Sequence, residues 1–401
     1  MLTNRQLFLH NLGQTSPSPM MLEISSARGI YMYGPDGKKY IDLISGVSVS
    51  NTGHCHPKVV EAVKNQADSY MHLMVYGEII QSPQVKYAER LAGTLPPDLN
   101  NCYFVNSGSE AVEGGLKLAK RFTGRSRIIS FINSYHGSTH GALSIQGSEL
   151  YRNAFRPLLP DTFQIAFNDE KSLSFIDEKT ACVIVEPVQG EAGVIFPEND
   201  FLKKIRSKCT ATGALLIFDE IQTGFGRLGS MFALDKFEVI PDVLLLAKAL
   251  GGGMPLGAFI SSGKIMSALS SNPILGHITT FGGHPVCCAA GLAALNVIIE
   301  EKLVETCNKK SDLFKKELLH PLISGVRGEG LLLAVQLTHA VYVQFAIAHG
   351  PDFGLILDYF LFCNNAFRIA PPLIISEEEI KLACSQLKKL LDAAMNTVNI
   401  K

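Results

Sequence analysis

Three polar segments, each directly behind a short apolar run, carry residue types that together could grip a phosphate, balance a buried cation and present an amine. In Val105-Asn106-Ser107-Gly108-Ser109-Glu110 the apolar run passes through glycine into a helix-like segment whose unpaired N–H groups would accept a phosphate. Ser107 and Ser109 add hydroxyl donors there, although Ser107 and Glu110 on their own also spell a capping box. In Leu215-Leu216-Ile217-Phe218-Asp219-Glu220-Ile221-Gln222 a carboxylate closes a buried run. A desolvated carboxylate needs a cationic partner, and a protonated pyridine nitrogen is one; a loop-capping aspartate is the alternative for Asp219 alone. In Val243-Leu244-Leu245-Leu246-Ala247-Lys248 a lysine ends the run, and the glycines Gly251, Gly252 and Gly253 let a bulky ligand approach the backbone closely. An amine is protonated at neutral pH, so a nucleophilic Lys248 must be kept neutral by desolvation or by nearby positive charge; a solvated strand-end lysine is the alternative.

Bringing these segments to one place requires a sheet whose strands end on the same side. From about residue 57 onward, helix-like segments alternate with apolar runs, the pattern of an α/β sheet covered by helices. The predicted strands are Cys102 to Val105, Arg127 to Ile132, Cys182 to Val185, Leu215 to Phe218 and Val243 to Leu246. They carry Val, Ile and Leu without alternation, as strands buried on both faces should. Helix signals lie between them: Ser82-Pro83, Ser107 with Glu110, and Asn199 before Phe201 at starts, Gly124 and Gly213 at ends. In open sheets of this kind ligands bind beyond the carboxyl ends of the strands, where the three segments fall. A dinucleotide fingerprint is excluded, because GxGxxG opening a helix after the first strand is absent.

After about residue 290 the texture changes to long helical stretches, Ala289 to Ile299 and Leu303 to Leu319, then a strand at Leu331 to Leu337 and a helix from Glu377. The expected division is a large domain over 51–290, a smaller α+β domain over 291–401, and a segment 1–50 that packs with the small domain. Within that first segment, strand-like Gly29 to Tyr33 and Lys39 to Asp42 flank the turn Gly34-Pro35-Asp36-Gly37.

The 401 residues include 36 basic and 37 acidic ones, which leaves no net field to draw a polyanion and favours small-molecule partners over nucleic acid. Charges or glycines interrupt every apolar stretch short of the roughly 20 residues that span a bilayer, so no membrane association is expected. The N-terminal segment has no continuous apolar core of a secretory signal, and nine cysteines without regular CxxC spacing fit reduced thiols; both point to the cytoplasm. His54-Cys55-His56 is not read as a metal site, because adjacent residues converge poorly on one ion and no further ligands are spaced to complete it.

Taken together, Asn106-Ser107-Gly108-Ser109-Glu110-Ala111, Glu186-Pro187-Val188-Gln189-Gly190-Glu191, Asp219 to Arg227, Ala247 to Gly253 and Thr280-Phe281-Gly282-Gly283 resemble the ordered motifs of class III aminotransferases. Gly53-His54-Cys55-His56-Pro57 and Val326 to Leu331 match too, so His54 and His56 look like family structure. The resemblance implies pyridoxal 5′-phosphate as cofactor and fold type I: an α/β large domain with a mostly parallel seven-stranded sheet, a smaller α+β domain, and a homodimer with shared active sites. By position, Lys248 would hold the cofactor and shuttle the proton, Asp219 would pair with the ring nitrogen, Gln222 with the ring hydroxyl, and Tyr135 would stack on the ring. Ser107, Gly108 and Ser109 would hold the phosphate from the same chain and Thr280 from the neighbouring subunit. Arg368 would bind the α-carboxylate of glutamate or 2-oxoglutarate, and Glu191 would neutralise it when an ω-amino substrate is bound, a static salt bridge between the domains being the alternative; Tyr76 would line the entrance or simply pack there.

The implied activity is ping-pong transfer of an amino group from an ω-amino acid of the ornithine, acetylornithine or 4-aminobutyrate class to 2-oxoglutarate. Diaminopelargonate-type and amine:pyruvate aminotransferases and aminomutases are the nearer alternatives, a decarboxylase or a non-catalytic binding protein the more distant ones. Two departures stand out. Ser138 occupies the position where ornithine and 4-aminobutyrate relatives carry a carboxylate-gripping arginine, which weakens recognition there unless Arg152 substitutes. His284 stands where an asparagine usually follows the glycine pair, with no interpretation from sequence.

Overall fold

Runs of Val, Ile and Leu can be buried on both faces only if helices cover the sheet on each side, and that demand organises the chain. The computed structural model describes residues 2–74 and 79–398. Near the N-terminus β1 (Ser26–Arg28), β2 (Tyr31–Tyr33) and β3 (Lys39–Asp42) form an antiparallel meander. A second, seven-stranded sheet follows, built from β4 (Asn101–Val105), β5 (Arg127–Phe131), β6 (Thr162–Ile165), β7 (Thr180–Val185), β8 (Leu215–Asp219), β9 (Val243–Leu246) and β10 (Gly257–Ser261). Their order across the sheet is β4-β10-β9-β8-β7-β5-β6. β10 alone runs against its neighbours β4 and β9, while the remaining pairs are parallel. The sheet is therefore mostly parallel, as the α/β pattern predicts. β7, β8 and β9 are buried at every residue.

The sequence reading leaves out β6 and β10. β6 is an edge strand with one face half exposed, so Thr162 and Gln164 break up its apolar character. β10 opens on Gly257 directly behind the glycine-rich segment and closes on Ser261 before Ser262, so turn-type residues at both ends mask it.

The chain then forms β11 (Ile323–Glu329), β12 (Leu332–Leu337), β13 (Leu355–Ile356), β14 (Asp358–Phe360) and β15 (Cys363–Ile369). β11, β12, β15 and β14 make an antiparallel sheet in that order. β13 instead lies parallel to β3, with Leu355 opposite Ile41, so a late strand completes the N-terminal meander. The helix Glu377–Thr397 starts with a full capping box between Ser376 and Glu379, and its first-turn acids Glu377, Glu378 and Glu379 suit the positive end of the helix dipole. The helix Pro285–Glu300 begins four residues before the predicted start because Pro285 fits its first turn.

Arg227 ties these parts together. Fully buried, it donates to the carbonyls of Leu331 (2.9 Å) and Pro371 (2.5 Å), to Ser45 Oγ (3.1 Å) and to Asn51 Oδ1, linking the loop after β8 to the N-terminal segment and to the segments beside β12 and β15. No described helix is long and apolar enough to cross a membrane. His54 pairs with Asp42 and His56 with Glu301, so the two imidazoles diverge.

Candidate active site

Five parallel strands, β4, β5, β7, β8 and β9, end on one side of the sheet, and the residues just beyond them line a single cavity of 480 Å³. Asn106 to Ser109 follow β4, Tyr135 to Gly137 follow β5, Glu186 follows β7, Asp219 closes β8 and Lys248 follows β9.

At one end the helix Gly108–Thr123 aims its first-turn N–H groups into the cavity. Ser107 caps it by accepting from Glu110 N (3.2 Å), but the Glu110 carboxylate turns to Asn106 N and Nδ2 (2.8 Å each), so only half a capping box forms. A side chain on Gly108 would press against Ile221, 3.0 Å from its Cδ1. Gly137, at φ +127, lets the chain pass so close to Ser109 that a Cβ would sit 2.1 Å from its hydroxyl. Ser109 Oγ accepts from Ser138 N at 3.3 Å, leaving its own O–H to donate to a ligand.

Deeper in, Asp219 points into the cavity while Glu220 points away and caps the helix Ala233–Phe237 through Leu234 N (2.8 Å). Burial pushes Glu220 up to about 7. Asp219 Oδ1 accepts from Ile221 N (3.1 Å) and Oδ2 faces His136 Nδ1 at 2.7 Å. A carboxylate can only accept, so Nδ1 is the donor of that bond. His136 was not singled out from sequence; its place directly after Tyr135 behind a strand was the available signal. Glu186 accepts from Tyr135 N (3.1 Å) and Gly190 N (3.3 Å), and burial reinforced by Asp219 drives its carboxyl far above the ordinary range. Gln222 lines the cavity with a buried Nε2 that has no partner. Such an orphan is costly unless a ligand atom answers it.

Lys248 adopts φ +51, a left-handed conformation rare for a side-chain-bearing residue and a common mark of functional sites. Four residues on, Gly252 is left-handed too, and a Cβ there would lie 2.8 Å from the Ala290 carbonyl. Burial lowers the Lys248 amine below its usual value of 10.5; the Arg368 charge acts in the same direction and Glu191, Asp219 and Glu186 oppose it.

Glu191 and Arg368 meet as a buried ion pair through Glu191 Oε1 and Arg368 Nη2. Glu191 Oε2 also accepts from Leu361 N (3.1 Å). A second acid, Asp358, lies 3.4 Å from Arg368 Nη1, and the Phe360 ring lies 4.8 Å from the guanidinium carbon. Arg368 Nε has no partner.

Other expected residues lie elsewhere. Thr280 is exposed and is not on the cavity wall of its own chain. Arg152 does not replace the missing arginine: its guanidinium is held by the Gln146 carbonyl (2.9 Å) and Glu149 (3.2 Å), off the cavity wall. Ser138 sits 3.3 Å from the Tyr135 hydroxyl. His284 packs 5.8 Å from His72 with its ring nearly parallel, and burial together with His72 lowers its pKa. Tyr76 lies outside the described residues.

The donor set fits pyridoxal phosphate: a phosphate cradle at a helix N-terminus, a buried carboxylate for a ring nitrogen, an orphan amide for a ring hydroxyl, and an amine of lowered basicity. The comparisons agree. The family model described as Aminotransferase class-III matches residues 13–391. The chain is 39% identical over 371 residues to the acetylornithine aminotransferase of Methanopyrus kandleri, covering 91% of this chain and 93% of that one. Among solved structures, the ornithine aminotransferase of Toxoplasma gondii superposes with a TM-score of 0.90 at 30% identity, over 99% of this chain and 97% of that one. A PLP-bound amine transaminase from an uncultivated Pseudomonas species gives 0.88 at 28% identity, over 96% and 98%.

Proposed function

We propose, from the premise that this chain belongs to the class III aminotransferase family and is a pyridoxal-phosphate-dependent transaminase, that ornithine-type donors and 2-oxoglutarate alternate at Arg368. The observation that carries this reading is the buried Glu191–Arg368 pair, which lies behind the residues lining the cavity and whose charges both act on the Lys248 amine. One lysine in one cavity must meet the amino donor and the oxo acid in turn, so both substrates use the same walls. An unpaired buried guanidinium is costly. Glu191 satisfies Arg368 while the ω-amine of a donor is bound, and a substrate α-carboxylate replaces it with the same bidentate contact.

The bound cofactor supplies a protonated ring that draws electron density from the substrate carbon. Asp219, held by His136, would keep the ring nitrogen protonated; Gln222 would hold the ring hydroxyl, Tyr135 would cover the face, and Ser107, Gly108 and Ser109 would hold the phosphate. Lys248 Nζ, deprotonated more easily after burial, would hold the cofactor and carry the proton during transfer. Thr280 reaches the phosphate of a second copy. In support, exposed Ile278 and Phe281 beside Thr280 join exposed Met71, Leu73 and Met74 through the His72–Phe281 contact, an apolar patch suited to a homodimer interface. The nine unpaired cysteines support the reducing cytoplasm as its location.

A second reading of the donor rests on Ser138 and Tyr135. Two neutral hydroxyls 3.3 Å apart offer no cationic fork, which favours donors without a free carboxylate at that end. Turnover of acetylornithine, ornithine, 4-aminobutyrate and simple amines, with 2-oxoglutarate and pyruvate as acceptors, tests both. Poor use of 4-aminobutyrate is expected; efficient use would remove the argument from Ser138, and 2-oxo acid turnover unchanged by Arg368→Ala would remove the role of Arg368.

A further inference from the structure

We propose that Asp358 is a resident counter-charge on Arg368 that weakens its grip on a substrate carboxylate and so keeps the site exchangeable; this rests on Arg368 being the carboxylate receptor. The two acids on Arg368 are held in different ways. Asp358 stands directly opposite Arg368 in the β14–β15 ladder, and residues so paired share one face of the sheet. Its Oδ1 also accepts from Tyr359 N at 2.9 Å, so a short side chain is tethered at both oxygens. Glu191 reaches Arg368 from the loop after β7, on a longer side chain anchored through Leu361 N. Asp358 is thus placed opposite Arg368 by strand register, whereas Glu191 hangs from a loop on the longer side chain and has the greater reach for withdrawal.

The consequence is electrostatic. With both acids present, one guanidinium faces two carboxylates. When Glu191 leaves, Asp358 remains at 3.4 Å and the Phe360 ring still covers the guanidinium carbon at 4.8 Å, so Arg368 is never stranded as an unpaired buried charge. The same Asp358 repels the incoming carboxylate, because like charges on neighbouring guanidinium nitrogens oppose each other. Exchange becomes easier in both directions, at the expense of affinity. Asp358 thus acts on specificity through Arg368 as a positioning residue.

Calorimetric titration of the holoenzyme with glutarate, a dicarboxylate with no carbonyl to react, tests this in the wild type, D358N, D358E, R368Q and D358N/R368Q. D358N should bind glutarate about three- to ten-fold more tightly, the 27% exposure of the Asp358 side chain limiting the effect through solvent screening. D358E should restore the wild-type constant, which a merely structural pair would not require. D358N should have no effect in the R368Q background. D358S serves as a second neutral variant should D358N fail to fold. If R368Q weakens glutarate binding but neutralising Asp358 leaves it unchanged or weaker, the proposal fails while Arg368 keeps its role. If R368Q itself binds glutarate like the wild type, the reading of Arg368 falls, and the counter-charge argument with it. A gain from D358N that persists in R368Q would also overturn the proposal, since the repulsion would not act through Arg368.

Discussion

Where β8 and β9 end, polar atoms stand in place without partners: Gln222 Nε2 and His136 Nε2 are buried and unanswered. Where β14 and β15 meet the loop after β7, the opposite holds, and the Arg368 charge is answered twice, by Glu191 and by Asp358. The first region waits for a group that stays. Its geometry is set by backbone, by the end of a buried strand, a helix N-terminus and a left-handed lysine. In the second region both terminal nitrogens of Arg368 already face a carboxylate and only Nε lacks a partner, so a ligand carboxylate that takes those nitrogens must displace a side chain. A resident cofactor calls for preorganised vacancies, whereas alternating substrates call for an internal substitute.

The contrast can be broken by experiment. The largest effect is expected at the fixed end: Lys248→Ala should lower the rate constants of both half-reactions by on the order of 10⁴-fold or more, since nucleophile and proton carrier are lost together. Loss in one half-reaction only, seen in single-turnover measurements, would place the chemistry elsewhere. At the exchanging end the damage should be lopsided. Arg368→Ala should cost the glutamate/2-oxoglutarate half-reaction about 2 to 5 kcal/mol and spare the donor half. Glu191→Ala should do the reverse, impairing the donor half and favouring glutamate. Equal losses in both halves, with a lower melting temperature, would reduce the pair to a static bridge between the sheets.

Smaller effects sharpen the picture. His136→Phe should cut kcat roughly ten-fold in both half-reactions, because a displaced supporting group commonly costs 10–100-fold. An unchanged kcat would free Asp219 from its dependence on His136. The smallest expected effect is on stability without cofactor. Burial sets the folded pKa of Lys248 below its usual 10.5, so the folded protein gives up a proton that the unfolded chain keeps. That penalty is full below the folded value and fades as pH rises toward 10.5. Cofactor-free Lys248→Met should therefore melt higher than the wild type at neutral pH, with the gap closing in alkaline scans; a constant gap would point to packing instead.

The fixed end was largely legible in the sequence, because its residues follow directly on strands that announce themselves by unbroken apolar runs. Val243 to Leu246 is a strand with the predicted bounds, and Asp219 closes its strand as the run implied. The exchanging end was legible only in part. Glu191 and Arg368 came from family resemblance, and Asp358 was invisible, since its role depends on strand register across a bulged hairpin that no local pattern encodes. His136 was missed for a related reason: its partner Asp219 comes from two strands away in the sheet. Arg152 was offered as a substitute for an arginine at position 138, but its own turn already satisfies it through Gln146 and Glu149.

The parallel pairing of β3 with β13 has a consequence for how the protein is made. Ile41 emerges early from the ribosome, yet its strand partner Leu355 follows roughly 300 residues later, on the order of tens of seconds at typical elongation rates. Throughout that interval one edge of the N-terminal meander is unpaired, a templating surface that nascent chains must shield. The large sheet can close while synthesis continues, but Arg368 is translated only after β13. A product truncated before β15 would thus retain Lys248 and the residues that follow β4 and β8, and lack Arg368.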